Sequence, residues 1–280
     1  VASSATAVLI GQVAAHTRSI RVGSGGVMLP NHAPLVIAEQ FGTLESMFPG
    51  RIDLGLGRAP GTDPMTARAL RRDLKTTAHD FPELVEEIQS YFAPAQPEQY
   101  VLAQPGTGLE VPIYILGSST HSALMAARSG LPYAFAWFIT DGQGAEQALD
   151  IYRESFRPSA GLSQPKATVC VWALAADTDE QAWQLFESRA RWRMDRNLGR
   201  LGALLPPHEA QREYSAAEQL APGQAGLGEG PLQAEDLAGL GGDRGRRALA
   251  HLCRSLSAEL PPRRLEGVAG AGIAGGRRSE

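Results

Sequence analysis

The sequence predicts an α/β fold built on a parallel sheet, either a (βα) barrel or an open doubly wound sheet. Three observations predict it. Short apolar strands alternate with amphipathic helices through the first two thirds of the chain. The runs Val111–Leu116 and Leu131–Thr140 are almost continuously apolar, as strands covered on both faces must be. No hairpin signal joins one strand to the next, so each pair needs a helical crossover and runs parallel.

Ser3–His16 reads as a helix, with Val8, Leu9 and Val13 on one side and Ser3 or Ser4 as its cap. A (βα) repeat should open on a strand, so this beginning reads as a start in mid-fold. Ile20–Asp63 then organises the chain as strand, helix, strand. Ile20 and Val22 alternate with Arg21 and Gly23 before Ser24, Gly25 and Gly26 remove bulk at the strand's end. Ile37, Phe41, Leu44 and Phe48 recur at helical spacing until Pro49-Gly50 stops the helix. In the next strand Ile52, Leu54 and Leu56 take one face, and Asp53, Gly55 and Gly57 the other.

Ligands of parallel α/β folds sit at the carboxyl ends of the strands. Residues without side chains there let a ligand approach the backbone. Two strands ending in Ser24-Gly25-Gly26 and Gly57-Arg58 would line one side of a pocket, with a guanidinium at its rim suited to a phosphate or carboxylate. The alternative is that the glycines serve tight turns and Arg58 is a solvated charge.

After a loop and a basic helix start, Phe81–Phe92 is an amphipathic helix. Leu84, Val85, Ile88 and Phe92 face inward, and Glu83, Glu86 and Glu87 outward. Glu86 and Glu87 are consecutive and do not face each other, so they read as solvation, and His79 as a surface residue. Ala93–Glu110 is a Pro-, Gly- and Gln-rich loop. The Val111–Leu116 strand ends in Gly117-Ser118-Ser119-Thr120, and a helix follows at once. That is either a phosphate cradle of free N–H groups or a plain hydroxyl cap. Tyr133, Phe135, Trp137 and Phe138 of the next strand either wall a ring-shaped ligand or fill the core. Ala145–Phe156 is helix, Ala167–Ala176 is strand with Cys170 as a small core filler, and Asp177 or Thr178 opens the helix after it. No GxGxxG fingerprint precedes a helix, which counts against a dinucleotide fold.

Composition sets the class. A chain of 280 residues with 43% hydrophobic and 20% charged residues is an ordinary globular protein, and a net charge of −4 gives no reason to expect nucleic acid or an anionic membrane as partner. Two cysteines make neither a disulfide framework nor a metal-ligand spacing, so no metal is expected and a reducing cytoplasm is the expected home. No apolar run reaches the roughly 18 to 20 residues of a membrane span.

Over Val1–Tyr214 the sequence resembles the bacterial luciferase-like monooxygenase family. The likeness rests on the whole opening stretch through Gly57-Arg58 to Asp63, on Ile115-Leu116-Gly117-Ser118-Ser119 before a helix, and on Leu131–Phe138 after it. It implies a (βα)₈ barrel and a reduced flavin mononucleotide, FMN, at the barrel's carboxyl end, acting with O2 on a small organic substrate. By the same resemblance Ser24, Gly25 and Gly26 pack beneath the flavin ring, often at a backbone bulge. Arg58, Ser118 and Ser119 hold the flavin phosphate, and Gly57 and Gly117 count among the cofactor-binding residues. A separate flavin reductase would supply reduced flavin, and the helix Asn31–Phe48 would be a homodimer face. A relative using the deazaflavin F420 is the alternative cofactor reading.

The family pattern is not complete here. It places two further strands before Val1, the second ending in an acidic and histidine motif, which neither His16 nor His32 matches. No catalytic residue is therefore assigned. Residues 1–222 form the expected barrel domain, lacking its first two strands and its last. Residues 223–280 are rich in Gly and Arg, with no Lys, Phe, Trp or Tyr. They read as low-complexity disorder or, preferred, as the product of a shifted reading frame. Two other outcomes stand beside the monooxygenase. One is a fragment inactive for want of its missing strands. The other is a non-redox phosphate-binding barrel, which would need a base at a strand end where the only lysines are Lys75 and Lys166.

Overall fold

The computed structural model describes residues 5–58, 69, 80–140, 142–171, 174, 176, 178–200 and 202–212. The loop from Pro60 to Lys75, apart from residue 69, lies outside these, as do His79 and the 223–280 segment. The chain divides into two compact units, residues 1–172 and 173–280.

The first unit carries α1 (Thr6–Ala15), β1 (Val22–Gly23), β2 (Val27–Met28), α2 (Pro34–Met47), β3 (Ile52–Gly57), α3 (Phe81–Phe92) and β4 (Ile113–Gly117). It continues with α4 (Thr120–Arg128), β5 (Tyr133–Ala136), α5 (Trp137–Thr140), α6 (Ala145–Glu154) and β6 (Ala167–Cys170). The strands lie side by side in the order β1-β3-β4-β5-β6, with β2 pairing β3, and every pair is parallel. A doubly wound sheet reverses its order at a switch point. This sheet never reverses, and each new strand extends the same edge, so it forms half of a (βα) barrel.

The predicted faces decide the packing. Ile52, Leu54 and Leu56 are wholly buried, and their register partners Ile113 and Ile115 share that buried side. Phe81, Val85, Ile88 and Phe92 form the buried stripe of α3, while Leu84 is half-buried. Each fully buried side chain of this size contributes about 1.5–3 kcal/mol, which is why these apolar spacings settle the element positions.

Three details differ from the expectation. The strand foreseen at Ile20 begins instead at Val22 and is interrupted, continuing as Val27–Met28. In α1 the N-cap is Ala5 with no side-chain bond, and Val8, Leu9 and Val13 lie on the exposed side. The helix buries Ile10 and Ala14 instead, and Gly11 would bring a Cβ to 3.3 Å from Leu44 of α2. The long strand foreseen at Leu131–Thr140 stops at Ala136, where the chain turns into α5.

The amino ends of the strands are clamped by arginines. Arg21 forks onto Asp53 at 3.0 and 2.7 Å and also donates to the Gly50 carbonyl. Arg51 donates to the carbonyls of Ile20, Ala14 and Thr17 and to the Thr17 hydroxyl, tying the end of α1 to the sheet. Both sequence positions look like solvated charges until the fold brings these acceptors together.

The second unit contains α7 (Asp179–Asn197) and the short α8 (Pro207–Ala210). The Thr178 hydroxyl caps α7 by accepting the Gln181 N–H at 3.2 Å, as one of the two foreseen caps.

Candidate functional site

The parallel register aligns the strand ends. Met28 faces Gly57, Gly57 faces Leu116, Leu116 faces Ala134, and Ala134 faces Thr168. One step further along, Arg58 and Gly117 stand at the ends of neighbouring strands, with Ser118 next. The exposed Arg58 and the Ser118–Thr120 turn therefore share one rim of the sheet.

On the adjoining edge β1 and β2 are separated by a bulge. From Gly23 to Val27 there are three intervening residues, while their partners Asp53 and Leu56 have two between them. The buried Ser24 hydroxyl bridges the gap, donating to the Gly55 carbonyl and accepting the Gly55 N–H, each at 2.9 Å. The Gly25–Gly26 peptide is cis. The two glycines differ in what surrounds them. A Cβ on Gly26 would lie 2.6 Å from the Gly55 carbonyl oxygen, whereas one on Gly25 would meet no described atom within 4 Å. Gly26 is bare for packing, and Gly25 is bare toward open space in the bulge. A Cβ on Gly57 would be nearly as free, 3.9 Å from the Val27 carbonyl.

At the β4–α4 corner, Ser119 is the N-cap. Its hydroxyl accepts the Ser122 N–H at 3.3 Å, and the Ser122 hydroxyl accepts the Ser119 N–H in return. Capping occupies the Ser119 hydroxyl, while the N–H groups of Thr120 and His121, in the first turn, have no acceptor within the helix. Gly117 is required here because a Cβ would collide with the Ser122 side chain. The phenol of Tyr133 completes the corner, 3.1 Å from Ser122 Oγ and 3.3 and 3.4 Å from the carbonyls of Gly117 and Ser119. Burial pushes that phenol's pKa up, against a smaller opposing effect of the Ser122 bond, so it stays protonated and able to donate.

The aromatic run divides. Tyr133 and Phe135 are wholly buried and belong to the core, packed edge to face. Trp137 and Phe138 are half-buried at the start of α5, just past the strand end. Gly142, past the end of α5, has φ +83° and folds against the Trp137 ring with no room for a Cβ.

Of the histidines, His32 follows β2 in a loop and His121 lies in the first turn of α4. Desolvation lowers the pKa of the partly covered His32 imidazole. His16 instead ends α1, its Nδ1 2.8 Å from the Gln12 carbonyl. Lys166 precedes β6 at the sheet's amino end and donates to Tyr114 Oη at 2.6 Å, so it supplies no base to the rim. Cys170 ends β6 facing Ala136, and burial raises its thiol's pKa. Among the described residues no group of His, Cys, Asp and Glu could hold a metal ion, and no helix is long and apolar enough to cross a membrane. A depression lined by Ser90, Pro94, Gln96 and Gln99 lies beyond the end of α3 and contains none of the rim residues.

Residues 2–235 match the family described as luciferase-like monooxygenase. The protein YvbT of Bacillus subtilis (strain 168) is 55% identical over 210 residues, which are 75% of this chain and 62% of that protein. A luciferase-like monooxygenase of Escherichia coli (strain K12) is 47% identical over 226 residues, 80% of this chain and 67% of that one. The N-acetyl-S-alkylcysteine monooxygenase of Bacillus subtilis (strain 168) is 37% identical over 202 residues, 68% of this chain and 57% of its own. The chain thus spans less than two thirds of YvbT. Among solved structures, apo-MsnO8 superposes with a TM-score of 0.66 at 33% identity, covering 82% of this chain and 64% of that one. Two more distant structures share the fold. An F420-dependent secondary alcohol dehydrogenase has a TM-score of 0.55 at 16% identity, covering 76% of this chain and 66% of its own. The oxygenating constituent of 3,6-diketocamphane monooxygenase of Pseudomonas putida, in complex with FMN, has 0.50 at 18%, covering 70% and 62%.

Proposed function

The chain belongs to the luciferase-like monooxygenase family, and from that premise we propose that its strand-end rim binds reduced FMN for the oxidation of a small organic molecule by O2. The observation that carries the reading is that Arg58 and the first turn of α4 share one rim, with the open Gly25 in the bulge of the adjoining edge, opposite Leu54 and Gly55.

The residues present fit a phosphate-bearing tricyclic ligand. Open space over Gly25, with Gly57 nearly as bare, suits a flat ring laid against backbone. Arg58 and the free N–H groups at the start of α4 suit a phosphate, by charge and by helix dipole. In this reading Ser24, Gly25 and Gly26 support the ring, and Gly57, Arg58, Gly117, Ser118 and Ser119 enclose the phosphate. The flavin supplies the redox and oxygen chemistry. The protein orients it and keeps water away. No side chain is assigned as acid, base or nucleophile.

Reduced flavin would come from a separate reductase, and pairing of two copies would use the face of α2 that exposes Val36 and Met47. A deazaflavin is the second reading, favoured by the fold shared with the F420-dependent dehydrogenase and equally served by an anion site.

The test is absorbance and fluorescence titration of the 280-residue chain with oxidised and reduced FMN, with F420 in parallel. Saturable binding of FMN is expected. Binding of F420 alone would move the assignment to the deazaflavin, and affinity for neither would overturn it.

A further inference from the structure

Tyr133 is wholly buried in β5, yet its hydroxyl leaves its own strand for the β4–α4 corner. There it lies within 3.4 Å of the Gly117 and Ser119 carbonyls and of Ser122 Oγ. The Ser122 hydroxyl itself donates to the Ser119 carbonyl at 2.7 Å. Two carbonyls with one residue between them are thus drawn to one part-buried polar hub.

In a planar trans peptide the C=O and the following N–H point in opposite directions. Drawing the Gly117 carbonyl inward turns the Ser118 N–H outward. Drawing the Ser119 carbonyl inward does the same for the Thr120 N–H. The peptide between them is reversed, because the Ser119 N–H turns inward to Ser122 Oγ at 3.3 Å. Two donors therefore face the rim that Arg58 also occupies, one strand away.

We propose that Tyr133 is a positioning residue for the cofactor phosphate, holding the Ser118 and Thr120 N–H groups toward it without touching it. This rests on the flavin reading above and adds a residue that neither charge nor exposure would pick out. The ring of Tyr133 packs against Phe135 and Tyr152, so Tyr133→Phe keeps the packing and removes the hub alone.

The experiment compares the affinities of FMN and of riboflavin, the same flavin without its phosphate, by fluorescence titration of the full chain and its variants. Tyr133→Phe is expected to weaken FMN about tenfold, the scale of one charge-assisted hydrogen bond, and to leave riboflavin unchanged. Tyr152→Phe is the control. Its hydroxyl is also buried but donates to the Leu131 carbonyl at 2.9 Å, so it should lower the thermal midpoint with no change in the FMN-to-riboflavin ratio. A ratio unmoved by Tyr133→Phe, or both affinities falling together, would overturn the positioning role. A wild-type chain that binds both flavins equally would instead remove the phosphate assignment on which the role depends. Should Tyr133→Phe not fold, Ser122→Ala removes the other hydroxyl of the hub and is read by the same ratio.

Discussion

The hydroxyl of Ser24 takes the place of a backbone partner for Gly55, receiving its N–H and donating to its carbonyl across the bulge. Both Gly55 groups are buried there, and no other pairing with Ser24 could satisfy both at once. Ser24→Ala should therefore lower stability by about 1–3 kcal/mol, the cost of leaving buried polar groups unpaired. Equilibrium denaturation measures this, and an unchanged midpoint would mean that water replaces the hydroxyl.

The two glycines after Ser24 should respond in opposite ways. Gly26→Ala forces a Cβ against the Gly55 carbonyl and should destabilise the chain severely. Gly25→Ala projects into open space and should leave the thermal midpoint near wild type while weakening FMN binding. Equal damage to stability from both would show that Gly25 is not bare for a ligand's sake.

Arg58 is exposed, just past the end of β3. Arg58→Gln should weaken FMN about 10- to 100-fold, as expected for losing a charge-assisted bond of roughly 1.5–3 kcal/mol, with riboflavin binding and the melting temperature unaltered. If FMN affinity is insensitive to this change, the phosphate lies elsewhere.

His32 sets an acid-side dependence. Desolvation lowers its folded pKa below 6.5, so the folded state holds the neutral imidazole. As pH falls below about 6.5 the unfolded chain takes up the proton first, and stability declines until the folded pKa is also passed. His32→Asn should flatten that part of the stability–pH curve between pH 7 and 5. A slope identical to wild type would remove His32 from the account.

Most of the sheet was legible in advance because period-2 and period-3.6 patterns report burial directly. Ile52, Leu54 and Leu56 announced their face, and Val85, Ile88 and Phe92 announced theirs. What the patterns could not settle was topology, since a barrel and a doubly wound sheet share the same alternation. That required the strand order.

The misreadings have physical causes. Val8, Leu9 and Val13 were grouped by apolarity, but α1 packs through Ile10 and Ala14, and Gly11 beside them permits a close approach to Leu44. The Leu131–Thr140 run is apolar throughout, so nothing in its composition marks the turn at Trp137. The first glycine after it, Gly142, lies beyond the end of α5. At the site, glycines and hydroxyls marked the rim, yet they did not say which were packed and which open. Tyr133 gave no signal, because a tyrosine in a buried strand looks the same whether or not its hydroxyl serves a neighbouring corner.

The extra residue between Gly23 and Val27 has one more effect. Val22 and Val27 are an odd number of positions apart, yet both pair with residues of the same buried side, Ile52 and Leu56. Were the same residues to run as an unbulged strand, the alternation would turn Val27 outward and bring Met28 into the core. The segment thus acts as a phase shifter between two half-strands. Shortening the segment by one residue would leave Val27 opposite Leu56 in an unbroken strand, so what the extra residue supplies is the local bend at Ser24-Gly25-Gly26 and the gap that the Ser24 hydroxyl fills.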